Sequence, residues 1–143
     1  MTIPYLACMA FVASLNGLPP RVLPSIASVE GGRQGVASRN RDGSEDLGLM
    51  QVNTRWVNTI AHVVGLSAPQ TRMLLLNDPC FNISAAGAIL RTYLAESHGD
   101  LMRAIGDYHS HTRPLNWDYQ AKVVRAAERL FDRAIPRADG MDR

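Results

Sequence analysis

The sequence predicts a mainly α-helical domain with one small β-hairpin around residues 38–53. Apolar residues recur at helical spacing over most of the 143 residues, and polar capping residues, Gly and Pro stand at the ends of these segments. Residues 33–53 lack that period and contain the turn dipeptide Asp42-Gly43. The hairpin is therefore expected to interrupt an otherwise helical chain.

The first half of the chain is expected to hold two helices. The first is predicted over residues 3–16, with Pro4 tolerated in its first turn. The second runs to Glu30, and Gly31-Gly32 ends it. An acid is thus expected on the last turn of an otherwise apolar helix.

Five more helices are predicted after the hairpin, each from a starting or ending signal. Asp78-Pro79 is expected to precede a turn before the longest of them. The predicted segments are 54–65 capped by Thr54 or Asn53, 67–76 opened by Ser67, 82–98 stopped by Gly99, 101–109 capped by Asp100, and 116–134 capped by Asn116.

Length and composition indicate one globular domain, which we place at residues 1–136, with 137–143 as a disordered tail. The net charge is only +2, and no basic stripe interleaved with aromatic residues argues for nucleic acid. No segment is long enough to span a membrane. The chain has no P-loop, GxGxxG or CxxC motif, so we expect no cofactor, and we expect a monomer.

The histidines do not suggest a metal site. His109 and His111 lie two residues apart, so on a helix they would face different directions. No third ligand stands at a metal-binding spacing in the sequence. We therefore expect no metal.

Four sequence blocks carry a family resemblance: SVEGG at 28–32, DLGLMQVN at 46–53, LNDPCFNISAAGAILRTYL at 76–94 and AIGDYHS at 104–110. In this order they resemble the transglycosylase SLT domain family over residues 5–131. The resemblance is strongest to the small lytic transglycosylases of type III and type IV secretion and conjugation systems. It implies a lysozyme-like fold.

The resemblance also implies an activity. Glu30 would act as general acid and then base, cleaving the bond between N-acetylmuramic acid and N-acetylglucosamine in peptidoglycan and leaving a 1,6-anhydromuramic product. The cut would locally open the wall for a secretion, conjugation or pilus apparatus, whose proteins would be partners beside the glycan strands. Two alternatives stay open: a hydrolytic muramidase on the same fold, and a non-catalytic peptidoglycan-binding assembly component.

The residues themselves support an acid with an altered pKa. The negative end of the helix dipole and apolar surroundings both disfavour the charge of Glu30 and raise its pKa. Asp46 is a candidate second carboxylate, with a turn-capping acid as the alternative. Trp56 and Trp117 are expected in the core, with stacking on sugars as the alternative. The expected substrate-binding residues are Ser44, Met50, Gln51, Tyr108, His109 and Tyr119.

Some of those roles come from the resemblance. There Gln51 lines the cleft, Met50 flanks the acid, and Tyr108 bonds to Glu30 or to the substrate acetamide. Many family members have Tyr-Asn where this chain has Tyr108-His109, which leaves the role of His109 open. Tyr119 lines the cleft or belongs to the core.

Cys8 and Cys80 are the only cysteines. They are either free and buried or paired, and the resemblance implies a disulfide. A disulfide places the protein in an oxidising compartment, the bacterial periplasm or beyond. The apolar N-terminus lacks a positive leading region, so we interpret it as the first helix, with Met1 as a replacement start on a mature domain that lacks its signal peptide.

Overall fold

The computed structural model describes residues 2–132. Within that range seven α-helices and a three-stranded sheet form the mainly helical, lysozyme-like architecture that the sequence predicts. A 3-10 turn, Thr54–Trp56, leads into the third helix. The helices are α1 Leu6–Asn16, α2 Val22–Glu30, α3 Val57–Val64, α4 Ala68–Asn77, α5 Pro79–Glu96, α6 Leu101–His109 and α7 Arg113–Phe131; the strands are β1 Ala37–Arg39, β2 Glu45–Leu47 and β3 Val52–Asn53.

Helix α5 is the centre of the domain. It contacts α1, α4 and α6, while α2 and α6 both pack against α7. Burying these apolar faces supplies the main favourable term in folding. The largest fully buried apolar side chains are Met9, Leu23, Ile26, Leu47, Met50, Leu75, Ile83 and Leu90.

The sheet is antiparallel, with strand order β1-β2-β3. The predicted hairpin is β1 and β2, which pair Ala37 with Leu47. The third strand is only two residues long and was not predicted, because so short a segment shows no alternation. Its pairing with β2 sets Asn53 opposite Asp46.

Asn53, one of the two caps expected for this helix, caps the turn before α3, since the Arg55 N–H donates to Asn53 Oδ1 at 2.9 Å. The turn predicted between α4 and α5 is wrong. Helix α5 begins at Pro79 without an intervening turn, because the Asp78 carboxylate caps it. Pro is well suited to a first helical turn, where no partner for its missing N–H is needed.

The predicted start of α7 at Asn116 is also wrong. The helix begins at Arg113, and Asn116 lies inside it, buried against Gly106. The side-chain amide of Asn116 donates to Asp107 Oδ1 at 2.9 Å. A polar residue that looks like a cap is here a buried link between α6 and α7. The predicted end of this helix near residue 134 and the tail 137–143 lie outside the described residues.

A disulfide joins Cys8 on α1 to Cys80 on α5, as the resemblance implied. It closes a loop with a sequence separation of 72 residues. On the chain-entropy model a cross-link over such a loop stabilises the folded state by about 4 kcal/mol.

No single helix in residues 2–132 combines the length and the apolar character needed to cross a membrane. Helices α4 and α5 meet those requirements only as a pair, and that pair is bent by 106° where they join.

Candidate active site

Glu30 is the last residue of α2, and two glycines set the chain direction immediately after it. Gly31 adopts a left-handed conformation with φ of 64°, and its N–H donates to the Ala27 carbonyl. A side chain on Gly32 would collide with the carbonyl oxygens of Gly48 and Leu49. The end of α2 therefore packs directly on the loop between β2 and β3.

That loop is held to the central helix by a buried amide, Asn82, which is only 1% exposed. Its Oδ1 accepts from the Met50 N–H, and its Nδ2 donates to the carbonyls of Leu47 and Leu75, all at 2.8 Å. Buried polar backbone groups need such partners, since leaving them unpaired costs free energy. Asn82 thus fixes the loop that faces the acid.

Glu30 lies in a cleft of about 230 Å³ between the sheet and α6. A second depression of about 200 Å³ is lined by Glu30 and His109 as well, with residues of α7 on its far side. The acid therefore lies where two adjoining depressions meet. The other residues that line the first cleft are Asn40, Asp46, Gln51, Val52, Asn53, Arg55, Trp56, Ile89, Tyr108 and His109.

The Glu30 carboxylate accepts a hydrogen bond from Tyr119, with 2.7 Å between the phenol oxygen and Oε1. Tyr119 is on α7 and is 4% exposed, so the packing of α2 against α7 sets this contact. Burial raises the pKa of Glu30 from its ordinary 4.5 to about 7. The Tyr119 hydrogen bond lowers the pKa against that trend, and the negative charge of Asp46 raises it further.

Tyr108 does not bond to Glu30, contrary to one of the two roles expected for it. Its hydroxyl donates to the Met50 carbonyl at 2.6 Å, which ties α6 to the loop before β3. Burial, with the nearby Glu30 charge second, raises the pKa of Tyr108 well above its usual 10, so its hydroxyl stays protonated. The phenol that contacts the acid is Tyr119, for which the sequence left a core role equally open.

His109 lines both depressions and is exposed. Its ring stacks on Tyr119, with 5.0 Å between the ring centres and 10° between the planes. The imidazole therefore covers one face of the phenol whose hydroxyl binds Glu30.

Asp46 lines the same cleft as Glu30 and accepts a hydrogen bond from Asn53 Nδ2 at 3.0 Å. The neighbouring acid, Glu45, is paired instead with Arg72 at 2.8 Å. Asp46 is thus the second carboxylate in the cleft, and its cross-strand amide partner holds it on the sheet.

Two predicted substrate contacts are corrected. Met50 is fully buried, with 0% exposure, so its side chain belongs to the core and only its carbonyl takes part in the site through Tyr108. Ser44 does not line the cleft; its hydroxyl donates to Asp42 Oδ1 at 2.6 Å within the hairpin turn. It also accepts from Asn53 Nδ2 at 3.0 Å and so helps to position that amide.

Gln51 lines the cleft, as expected, in an uncommon backbone conformation with φ of 53°. Its Nε2 donates to the Gly48 carbonyl at 2.9 Å, which leaves the amide oxygen available to a ligand. Gly48 itself has φ of 65°, and a side chain there would meet Asn82 and the Leu75 carbonyl. The GLMQ block therefore encodes a tight loop as well as a cleft side chain.

Sequence reasoning missed Asn40 and Arg55, which line the cleft, and Asn82, which supports it. Asn82 had a signal, an amide within the apolar face of α5, whereas Asn40 and Arg55 are polar residues in polar segments. Of the two tryptophans expected in the core, Trp56 is half-buried and packs edge-on against Tyr93.

Trp117 is 60% exposed, so the core prediction for it is wrong. The expectation that treated His111 as lying on one helix with His109 is also wrong. His111 lies past the end of α6, and its Nε2 is 2.8 Å from a carboxylate oxygen of Glu96 and 3.9 Å from one of Asp107. Asp107 is four residues before His111, a spacing that the sequence prediction passed over, whereas Glu96 lies on another helix.

A helical domain with an acid at the end of one helix, facing a small sheet across an open cleft, is a lysozyme-like domain. The family model of the transglycosylase SLT domain matches residues 7–128. The chain belongs to this family.

Sequence similarity to known proteins extends over most of the chain. It is 29% identical over 119 residues to invasion protein IagB of Salmonella typhimurium and of Salmonella typhi, covering 82% of this chain and 71% of theirs. It is 28% identical over 137 residues to protein IpgF of Shigella sonnei, covering 93% of this chain and 84% of that one.

Proposed function

We propose that this protein is a peptidoglycan lytic transglycosylase that uses Glu30 as its single general acid and base. The observation that carries the proposal is the Glu30 carboxyl group, whose pKa is raised to about 7 by burial and which is held by Tyr119. An acid with a pKa near neutrality gives up a proton and takes one back with similar ease. Membership in the SLT family supports the same chemistry.

The reaction proceeds in two steps at one carbon. Protonated Glu30 donates its proton to the glycosidic oxygen, and the bond from that oxygen to the muramoyl C1 breaks with its electron pair going to the oxygen. The Glu30 carboxylate then takes the proton of the muramoyl 6-hydroxyl while that oxygen bonds to C1. The products are a 1,6-anhydromuramoyl end and a free N-acetylglucosamine 4-hydroxyl, and no water is consumed.

The surroundings of Glu30 match what these steps require. Substrate acetamido and hydroxyl groups need amide partners, and the cleft offers Asn40 and Gln51. The depression on the α7 side would receive the sugar beyond the cleaved bond, next to Asp118 and Lys122. Glycan would thus lie on both sides of the acid.

A hydrolytic muramidase is the second candidate, and one observation favours it. Asp46 shares the cleft with Glu30 and raises its pKa through its charge. Paired carboxylates are the usual arrangement for hydrolysis of glycosidic bonds. Under this candidate Asp46 would activate water or attack C1.

Product analysis distinguishes the two. Purified sacculi digested with the protein and analysed by mass spectrometry should yield muropeptides one water lighter than those of a muramidase. Muropeptides with reducing muramic ends would favour hydrolysis. The Glu30→Gln variant is the matched control and should release neither.

We further propose that the activity opens the wall beside a secretion, conjugation or pilus apparatus in the periplasm. The relative named an invasion protein and the Cys8–Cys80 disulfide support this setting. In the organism of origin, exchanging the native copy for the Glu30→Gln variant should impair assembly of that apparatus while the amount of the protein stays normal.

A further inference from the structure

Three side chains of types that can bind metal ions converge outside the cleft that holds Glu30. They are Glu96 at the end of α5, Asp107 on α6 and His111 in the turn before α7. One donor atom from each lies within 4.8 Å of the other two. Among the described residues this is the group of three with such an arrangement.

Asp107 makes this cluster more than a surface ion pair. Its side chain is 4% exposed, and its Oδ1 accepts a hydrogen bond from the Asn116 amide. For the other, Oδ2, no hydrogen bond from residues 2–132 is found, and the His111 Nε2 is 3.9 Å away. This oxygen is not one of the fully enclosed unpaired atoms of residues 2–132, so it is open to a ligand from the adjoining cavity that Asp107 lines.

The nearby arginines form no close ion pair with the two carboxylates within residues 2–132. Arg103 and Arg113 line the adjoining cavity of about 400 Å³, together with Asp107 and His111. Within residues 2–132, neither arginine lies at ion-pair distance from Glu96 or Asp107, and His111 alone approaches both acids. Two negative charges therefore face a single imidazole.

The His111 ring is also held in place. It packs edge-on against Tyr93, with 5.1 Å between the ring centres. Its Nε2 lies 2.8 Å from a carboxylate oxygen of Glu96 and 3.9 Å from one of Asp107. An imidazole nitrogen and two carboxylate oxygens are ligands that zinc and similar divalent ions accept in proteins.

We propose that Glu96, Asp107 and His111 form a binding site for a divalent transition-metal ion, with Zn²⁺ as the best fit. Three protein ligands leave a further coordination position open toward the cavity that Asp107 and His111 line. The ion would join the end of α5, α6 and the turn before α7. Asn116 would orient the Asp107 carboxylate from behind, as outer hydrogen bonds do at metal sites.

The site is independent of the proposed glycan cleavage, because none of its three residues lines the cleft that holds Glu30. Its test therefore uses binding and stability. The probe is Zn²⁺ alone, titrated by calorimetry into the tag-free full chain with its disulfide intact, so that no thiol competes. Co²⁺ serves as a second probe, since its visible absorption reports the number and type of its ligands.

We expect one equivalent of Zn²⁺ to bind and to raise the melting temperature. His111→Gln and Glu96→Gln change exposed residues, so both variants should fold, and each should weaken binding by more than about tenfold. His62→Gln, which alters an exposed histidine on α3, should bind as the wild type does.

Three outcomes would overturn the proposal. The first is binding no tighter than that of the doubly substituted His111→Gln, Glu96→Gln chain. The second is unchanged binding in both single variants. The third is binding lost only with His109→Gln, which would place the ion in the active-site cleft.

Discussion

Replacing Glu30 by Gln should abolish activity and stabilise the fold, but the stabilisation should depend on pH. The pKa of Glu30 rises from 4.5 in its ordinary state to about 7 in the folded protein. Ionising the group therefore costs more in the folded than in the unfolded chain. Below pH 4.5 the carboxyl is neutral in both states, so the variant and the wild type should be equally stable.

As pH rises from 4.5 to 7, the unfolded chain ionises first and the wild type loses stability, and above 7 the loss is constant. A difference of about 2.5 pH units corresponds to an upper limit of about 3 kcal/mol. Partial exposure of the side chain lets water screen the charge, so we expect Glu30→Gln to gain about 1–3 kcal/mol at pH 8. The amide oxygen of Gln keeps the Tyr119 hydroxyl paired.

Urea unfolding at pH 4.5 and at pH 8 measures this difference directly. Glu128→Gln removes an exposed carboxylate from α7 and is the control, with little change expected at either pH. Activity should fall by at least about 10²–10⁴-fold, because one group serves both proton transfers. A gain that is the same at both pH values, or a variant within a few fold of wild-type activity, would refute the reasoning.

Three further substitutions test the site. Tyr119→Phe removes the hydrogen bond that lowers the Glu30 pKa. The decline of kcat/KM at alkaline pH, expected near pH 7, should therefore move to higher pH. Tyr108→Phe should leave the pH of that decline unchanged, because Tyr108 bonds to Met50 and not to Glu30. Asp46→Asn removes a charge that raises the Glu30 pKa, so the alkaline decline of kcat/KM should move to lower pH. Activity should stay within about tenfold of wild type. An inactive variant would instead make Asp46 the second carboxylate of a muramidase. Asn82→Leu leaves one N–H and two carbonyls unpaired and should cost about 3–5 kcal/mol in chemical unfolding, and a loss below about 1 kcal/mol would contradict the anchoring role.

Much of the fold follows from signals that lie close together in the chain. Glycine after Glu30 and the capping acid Asp100 mark helix ends correctly, because those residues act on backbone groups only a few positions away. The hairpin is predicted for the same reason. By contrast, Asn116 has the chemistry of a cap but bonds to Asp107 inside the folded protein. No local signal separates these two uses of an amide.

The site shows the same division. Glu30 and Gln51 lie where motif and local pattern place them, on the cleft. Which tyrosine contacts the acid depends on how α7 packs against α2, and that packing selects Tyr119 over Tyr108. Met50 belongs to the same sequence block as Gln51, yet its side chain is buried in the core, while that of Gln51 lines the cleft. Motif membership alone does not say which residues face a ligand.

The length of α2 has a consequence for variation and redesign of this domain. Glu30 is the last residue of a nine-residue helix whose buried face includes Leu23 and Ile26. Each residue of a helix turns it by about 100° and advances it by about 1.5 Å. One residue added or removed between Leu23 and Glu30 would therefore swing the carboxylate away from Tyr119. Insertions and deletions within this helix would therefore separate the acid from its partner, so a grafted or recombined version must keep the helix at its native length.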